Sequence, residues 1–242
     1  NTTARYPATG SEVIPVDGKA NTLRVVIVPF KYDADGSGRV PDVSPTALEA
    51  YRQRFRELYP VSDVEVTATE PIPWDEAIQP NGGGWQEVGF RLYGVKQSSG
   101  LPSDVYHVGM FNPADSLPQF CGGGCLLGVT LLNDMPPDIG NPDLRLALAV
   151  GFPEVTHNTT AHELGHAHGR KHVNCGPGLD PNSIDQAYPH DPSTIGVWSW
   201  NINAQTLIDP FSRTDIMGYC DNQWISDHNY KALHARGQNV NV

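Results

Sequence analysis

A chain of 242 residues can bury a sizeable core, either as one large domain or as two subdomains that meet at a cleft. Its composition is that of a globular protein, and its 24 glycines and 21 prolines predict long, structured loops. A formal net charge of -11, without any run of lysines and arginines, argues against nucleic acid as a partner. No apolar run approaches the roughly 20 residues that span a bilayer, so we expect no membrane insertion.

The N-terminal part begins with a polar stretch and then a strand followed by a helix. Residues 1–22 are irregular and are interpreted as an N-terminal arm. The run at 23–30, rich in Val and Ile, predicts a strand that is buried on both faces of a sheet. Ser44 before Pro45 is typical of a helix start, and apolar residues then recur at helical spacing up to Pro60.

The two periodicities of strands and helices predict seven further elements. They are strands at 63–69, 104–111, 128–132 and 144–150, and helices at 85–97, 156–168 and 226 to about 236. Between the last two helices the chain is rich in Pro and Gly. The mixture predicts an α/β (α+β) fold that ends in a loop-rich portion.

Four cysteines occur, at Cys121, Cys125, Cys175 and Cys220. An even count without a Cys-x-x-Cys pair favours disulfides over a thiolate metal site. Of the three connectivities we favour Cys121 with Cys125 and Cys175 with Cys220, while free thiols in a cytosolic protein remain the alternative. Disulfides indicate an oxidising compartment, so we expect a secreted, extracellular protein.

The clearest chemical signal is the stretch at 162–172, which reads His-Glu-Leu-Gly-His-Ala-His-Gly-Arg-Lys-His. On a helix, His162 and His166 project from one face and can bind one metal ion. Glu163 can then take a proton from a water that attacks a carbonyl. Gly169 can adopt a positive φ that ends the helix and returns the chain so that His172 supplies a third imidazole. Three neutral imidazoles leave a fourth zinc position open, which is typical of a catalytic site.

This stretch resembles the metzincin signature of zinc endopeptidases, His-Glu-x-x-His-x-x-Gly-x-x-His, and residues 215–219, Asp-Ile-Met-Gly-Tyr, resemble the metzincin Met-turn. The resemblance implies that Met217 lies beneath the zinc and that Tyr219, which can ligate zinc at rest, stabilises the oxyanion in the transition state; a core tyrosine is the alternative. It also implies a twisted five-stranded mixed sheet with helices in an upper subdomain, 23–173, and a loop-rich lower subdomain with a C-terminal helix, 174–242. Among metzincins, the secreted bacterial group that includes mucin-cleaving enzymes is the nearest in kind.

Two weaker signals concern metal ligands. Residues 33–38 begin like a calcium loop, but the twelfth place is Ser44 instead of Glu, so we favour a plain turn over a Ca²⁺ site. His168 lies far around the helix from His166, and we expect it to be a packing or surface residue rather than a ligand.

An aromatic pattern lies in the C-terminal portion. Trp198, Trp200 and Ile202 alternate along a possible strand, in the region where metzincins build the wall of a specificity pocket. Of the two interpretations we favour core packing over a role in the pocket.

These signals predict a zinc-dependent endopeptidase that acts as a monomer on extracellular proteins or peptides, with glycoproteins among the candidate substrates. The substrate would lie extended in a cleft and pair with the edge strand of the sheet, for which 128–132 is the candidate. One alternative is a zinc-stabilised binding module or pseudoenzyme, but such a site has no need of Glu163. Another is a metal-dependent hydrolase of non-peptide bonds, which the extended signature disfavours.

Overall fold

The computed structural model describes residues 21–191 and 193–240, so most of the predicted N-terminal arm lies outside the described residues. Within this part, the chain forms a six-stranded, mostly parallel sheet and five α-helices. The strands of this sheet are β1 (Thr22–Tyr32), β2 (Asp63–Ala68), β3 (Ile72–Trp74), β4 (Tyr106–Phe111), β5 (Gly128–Val129) and β6 (Leu146–Val150). The helices are α1 (Pro45–Leu58), α2 (Trp85–Ser98), α3 (Leu117–Cys121), α4 (Thr156–Ala167) and α5 (Asp227–Val240). The predicted α/β class is therefore confirmed.

The strands run in the order β2-β1-β4-β6-β5, with β3 also pairing with β1. All pairs are parallel except β5 with β6, where Gly128 lies opposite Ala149. Strand β5 is thus an antiparallel edge strand, in the place predicted for it. It is shorter than predicted, because the chain leaves the ladder and the amide of Asn133 binds the carbonyl of His166 instead.

Helices cover both faces of the sheet. Alternate residues of β1 point to opposite sides, since Val25 and Ile27 belong to one apolar cluster and Val26 and Val28 to another. Helices α1, α4 and α5 contribute to the first cluster, and α2 and α3 to the second. The prediction that β1 is buried on both faces is confirmed, and this burial explains its unbroken apolar run.

The expected five strands all form, and β3 is a sixth that the sequence did not predict. Its sequence is Ile-Pro-Trp. Proline has no backbone N–H to donate to a neighbouring strand and is rare inside strands, and three residues are too few to show an alternating pattern. The helix predicted after Ser44 is confirmed: the Ser44 side chain accepts a hydrogen bond from the amide of Ala47, and Pro45 occupies the first turn.

Beyond α4 the chain is mostly loop, with two small sheets before α5. They are β7 (Ser199–Asn201) with β8 (Thr206–Ile208), and β9 (Thr214–Asp215) with β10 (Gln223–Trp224). Core packing of the aromatic pattern is wrong: Trp198, Trp200 and Ile202 are 62%, 53% and 57% exposed. They lie on or next to the β7–β8 hairpin, where alternation puts them on one face, and no element of the described residues buries that face.

The two predicted disulfides are both present. Cys121 pairs with Cys125, and Cys175 pairs with Cys220 across a sequence separation of 45. Among the helices of the described residues, none has the length and apolar character needed to cross a membrane.

Candidate metal centre

Helix α4 and the turn that ends it bring the three predicted histidines together. Gly169 has a φ of 81°, in the left-handed region. The amide of Arg170 donates to the carbonyl of Gly165 at 2.9 Å, which closes the helix end and reverses the chain. His172 therefore returns toward His162 and His166, as the position of Gly169 predicted.

The ligand atoms of these three residues lie within 4.8 Å of one another. The Nε2 atom of His166 is 3.1 Å from that of His162 and 3.0 Å from that of His172. His162 and His166 are buried and His172 is partly buried.

Two of the imidazoles are held by backbone carbonyls. The Nδ1 atom of His162 lies 2.7 Å from the carbonyl oxygen of Ile216, and that of His166 lies 2.6 Å from the carbonyl oxygen of Arg170. A carbonyl can only accept, so each Nδ1 must carry the proton. In the neutral ring the Nε2 atom then presents a lone pair to the shared centre.

The third imidazole is held by a serine. The Oγ atom of Ser183 donates to the carbonyl of Asp180 at 2.8 Å and is 2.9 Å from Nδ1 of His172. Because the Ser183 hydroxyl donates its proton to Asp180, its oxygen accepts a hydrogen bond from Nδ1 of His172. The Nε2 atom of His172 is therefore also left with a lone pair.

Three lone pairs therefore converge with no proton among them, an arrangement that a cation stabilises. Burial lowers the pKa of all three histidines, that of His162 to about 4, so the rings are neutral near pH 7. Hydrogen bonds that orient ligand histidines through the other ring nitrogen are typical of metal sites. The residues His162, His166 and His172 thus fit a metal ion of the kind that imidazole binds.

Glu163 lies beside this centre with its carboxyl group buried. Its Oε2 atom has no hydrogen-bond partner among the described residues. Burial raises the pKa of this carboxyl to about 8; the nearby hydroxyl of Thr130 partly offsets the rise, although it lies outside ordinary hydrogen-bonding geometry. A buried, unpartnered carboxyl is costly for stability and marks a group kept for chemistry or for a ligand.

Met217 packs directly against the metal-binding helix. The side chain is 1% exposed, and a Cβ added to Gly165 would lie 2.3 Å from its Sδ atom. Glycine at 165, between the two helical histidines, therefore leaves room for the thioether. The carbonyl of Met217 accepts from the amide of Val173 at 2.9 Å, which ties this turn to the strand of chain that carries His172.

The turn at 215–219 is anchored to α5 by Asp215. This carboxylate is fully buried and accepts hydrogen bonds from the amides of Met217 and Ser226 and from the side chain of Asn229, at 2.8, 2.9 and 2.8 Å. Burial raises its pKa, while these donors favour the charged form. Asp215 thereby fixes the Ile216 carbonyl that orients His162.

Tyr219 stands at the open side of the centre. Its hydroxyl lies 3.0 Å from Nε2 of His172, and the side chain is 48% exposed. The amide of Tyr219 donates to the carbonyl of Cys175 at 2.6 Å, so the backbone is held while the phenol faces solvent on one side. The hydroxyl is thus within reach of a ligand bound at the three imidazoles.

Two residue sets do not join the centre. His168 is buried and stacks on Tyr106, with ring centroids 4.3 Å apart. Of the two roles expected for His168, packing or surface, it therefore has the packing role. Residues 33–38 form a turn in which the Asp35 carboxylate pairs with Arg39, a cation supplied by the chain itself.

A cavity of about 400 Å³, here called the flanking pocket, opens beside His162 and Glu163. One wall comes from the chain that enters β5, another from the first turn of α4, and a third from the residues after Tyr219. Its lining residues are Cys125, Leu126, Leu127, Gly128, Glu154, Val155, Asn158, Thr159, His162, Glu163, Tyr219, Cys220, Asp221, Asn222 and Gln223.

Three groups of the site had no sequence signal. Ser183 and the carbonyl of Ile216 orient ligand rings from 11 and 54 residues away. Gly128 lies against Glu163, because a Cβ there would be 2.5 Å from the glutamate Cγ. Only the fold brings these groups to the metal-binding helix.

Comparisons with known proteins do not assign this chain to a family. No family model matches the sequence, and no curated protein matches it. A solved structure described as "Structure of a chaperone-substrate complex" is similar over 92% of this chain, at 11% sequence identity and a TM-score of 0.43, and this chain covers 34% of that one. A likeness at this TM-score does not establish a common fold, so the residues of the site carry the functional inference.

Proposed function

We propose that the chain is a secreted zinc endopeptidase of the metzincin type. One observation carries this proposal: three imidazole Nε2 atoms converge beside a buried carboxyl oxygen, of Glu163, that has no partner among the described residues. The signature at 162–172 and the turn that contains Met217, which resemble those of metzincins, support it. The two disulfides favour an oxidising compartment, as expected for a secreted protein.

His162, His166 and His172 would hold zinc, which when bound supplies a Lewis acid for a scissile carbonyl and for water. Glu163 takes the proton of the attacking water and returns it to the leaving amine. Its raised pKa suits a group that both accepts and donates a proton near neutral pH. The Tyr219 hydroxyl donates to the oxyanion that develops. The edge strand β5 lies next to Glu163 and offers backbone groups to an extended peptide.

A purely structural zinc site is the alternative from another class. Such sites are usually closed by four protein ligands, whereas the cluster of possible ligands found among the described residues has three members. The buried Oε2 atom of Glu163 also has no hydrogen bond there, and a purely structural zinc site has no need of such a carboxyl. Both points favour an enzyme.

The test compares cleavage of an unfolded protein and a glycoprotein by the wild type, by Glu163→Gln and by Glu87→Gln, an exposed carboxylate on α2. We expect Glu163→Gln to keep about one zinc per chain and to lose about 100-fold or more in rate. Chelation should abolish cleavage and added zinc should restore it. Cleavage by Glu163→Gln at the wild-type rate, or by the chelated protein, would reject the proposal.

A further inference from the structure

The flanking pocket is lined by acidic side chains that have no ion pair within the described residues. Besides Glu163, its lining contains the carboxylates of Glu154 and Asp221 and no lysine or arginine. Neither of these two carboxylates has an ion pair or a side-chain hydrogen bond within the described residues, and both residues are exposed. Glu163, which is only 6% exposed, also lines the pocket, and its buried Oε2 atom has no hydrogen-bond partner among the described residues, so this side chain still needs a polar partner.

The chain itself places three positive features near the pocket: the N-terminus of α4 and the guanidinium groups of Arg54 and Arg213. Arg213 is close enough to Arg54 to contribute to the lowering of its pKa. The first turn of α4 lines the pocket, and a helix N-terminus acts as about half a positive charge. The guanidinium of Arg54 bonds to Asn158 at 2.8 Å but is already paired with Glu57 at 3.0 Å. A zinc ion at the three imidazoles would add positive charge at the His162 end of the pocket, so the preference for a cation is assigned to the region next to the carboxylates of Glu154 and Asp221.

The remaining lining suits a side chain that has an apolar stem and a charged end. Leu126, Leu127 and Val155 supply apolar surface, while Asn158 and Asn222 supply amide oxygens. Lysine and arginine bury their methylene groups and keep the cation at the polar end. A volume of about 400 Å³ has room for either side chain with water.

The position of Glu163 assigns the pocket to one side of the scissile bond. In the proposed mechanism Glu163 returns a proton to the leaving amine, so the leaving amine must lie next to this carboxyl. Glu163 is itself part of the pocket lining. The residue that enters the pocket is therefore the one that follows the scissile bond.

We propose that the flanking pocket binds a lysine or arginine side chain of the substrate, directly after the scissile bond, through Glu154 and Asp221. This inference rests on the proposed function and deepens it by naming the substrate class, proteins cleaved before a basic residue.

The test uses two quenched fluorescent peptides that differ only after the scissile bond, where one has lysine and the other norleucine, which has the same stem without the ammonium. We expect kcat/KM to favour lysine by about tenfold in the wild type, and less at high salt, because the charges are partly exposed. In the double variant Glu154→Gln with Asp221→Asn the ratio should fall to about one. The matched control, Glu70→Gln with Asp75→Asn, changes the same charges at exposed positions outside the pocket and should keep the wild-type ratio.

Each outcome decides the question. A wild-type ratio near one, or a high ratio that the double variant keeps, overturns the inference while cleavage itself still supports the proposed function. If neither peptide is cleaved although zinc is bound, the proposed function fails, and fluorescence anisotropy of the same labelled peptides then decides the pocket alone. Tighter binding of the lysine peptide that is lost in the double variant supports the pocket; equal or absent binding overturns it. Single variants replace the double variant if circular dichroism shows that it does not fold.

Discussion

Gly128 and Glu163 are in such close contact that a Cβ at residue 128 would lie 2.5 Å from both Cγ and Oε1 of the glutamate. Because Gly128 has no side chain, the edge strand β5 can pack directly against the carboxyl group of Glu163, the proposed general base. A substrate that pairs with β5 would lie at a fixed depth relative to Glu163.

Substitution of Gly128 by alanine should separate these two elements. We expect a loss of about 10-fold or more in kcat/KM, because small misplacements of reacting groups are costly, with zinc content unchanged. Gly94→Ala is the control: a Cβ there meets nothing within 4 Å and α2 should become slightly more stable. Full activity of Gly128→Ala would mean that the contact does not position Glu163.

Tyr219→Phe removes the hydroxyl that lies 3.0 Å from Nε2 of His172. We expect kcat to fall by about 10-fold to 100-fold while KM changes little, since an oxyanion donor acts in the transition state. Zinc content, measured by atomic absorption, should stay near one per chain. Tyr93→Phe, another partly exposed tyrosine, should have no effect; an unchanged kcat in Tyr219→Phe would exclude the oxyanion role.

Ser183→Ala tests how His172 is oriented. Loss of this acceptor should weaken zinc binding by about 10-fold, since partners that orient metal ligands contribute that much or more. Competition with a chromogenic chelator measures the dissociation constant. Ser212→Ala is the matched control, because that hydroxyl also donates to a carbonyl three residues earlier but touches no histidine. Equal affinities of the two variants would contradict the role of Ser183.

The buried His107 predicts a loss of stability in acid. Burial, with a smaller contribution from Lys96, lowers its pKa from 6.5 to about 4 in the folded protein. The unfolded chain therefore takes up a proton first, and folding stability present above about pH 6.5 is lost as the pH falls to about 4. In urea titrations of the zinc-free protein, His107→Leu should lose less stability than the wild type over this range. Parallel curves would show that His107 does not contribute.

Much of the site could be predicted because its main parts are local. The spacing of His162 and His166 follows from helical geometry alone, and Gly169 predicts the reversal that returns His172. The φ of 81° at Gly169 bears out that reasoning. The strands before α4, except β3, were likewise recognised from their apolar or alternating sequences, whereas their order in the sheet was not predicted.

The parts that could not be predicted depend on contacts between distant residues. The seryl hydroxyl at 183 and the carbonyl at 216 are ordinary groups whose importance comes only from where the fold puts them. The exposure of Trp198 and Trp200 was mispredicted for the same reason, since alternation tells which residues share a face but not whether anything packs on it.

The loop closed by Cys175 and Cys220 contains Ser183, Ile216, Met217 and Tyr219. Two of the three imidazoles are therefore oriented by groups that one covalent crosslink holds in place, while His166 is oriented within its own helix turn. The ligand set is therefore complete only in the folded chain, in which this loop packs against α4. The geometry of a cluster of three imidazoles thus depends on a disulfide that contributes no ligand to it.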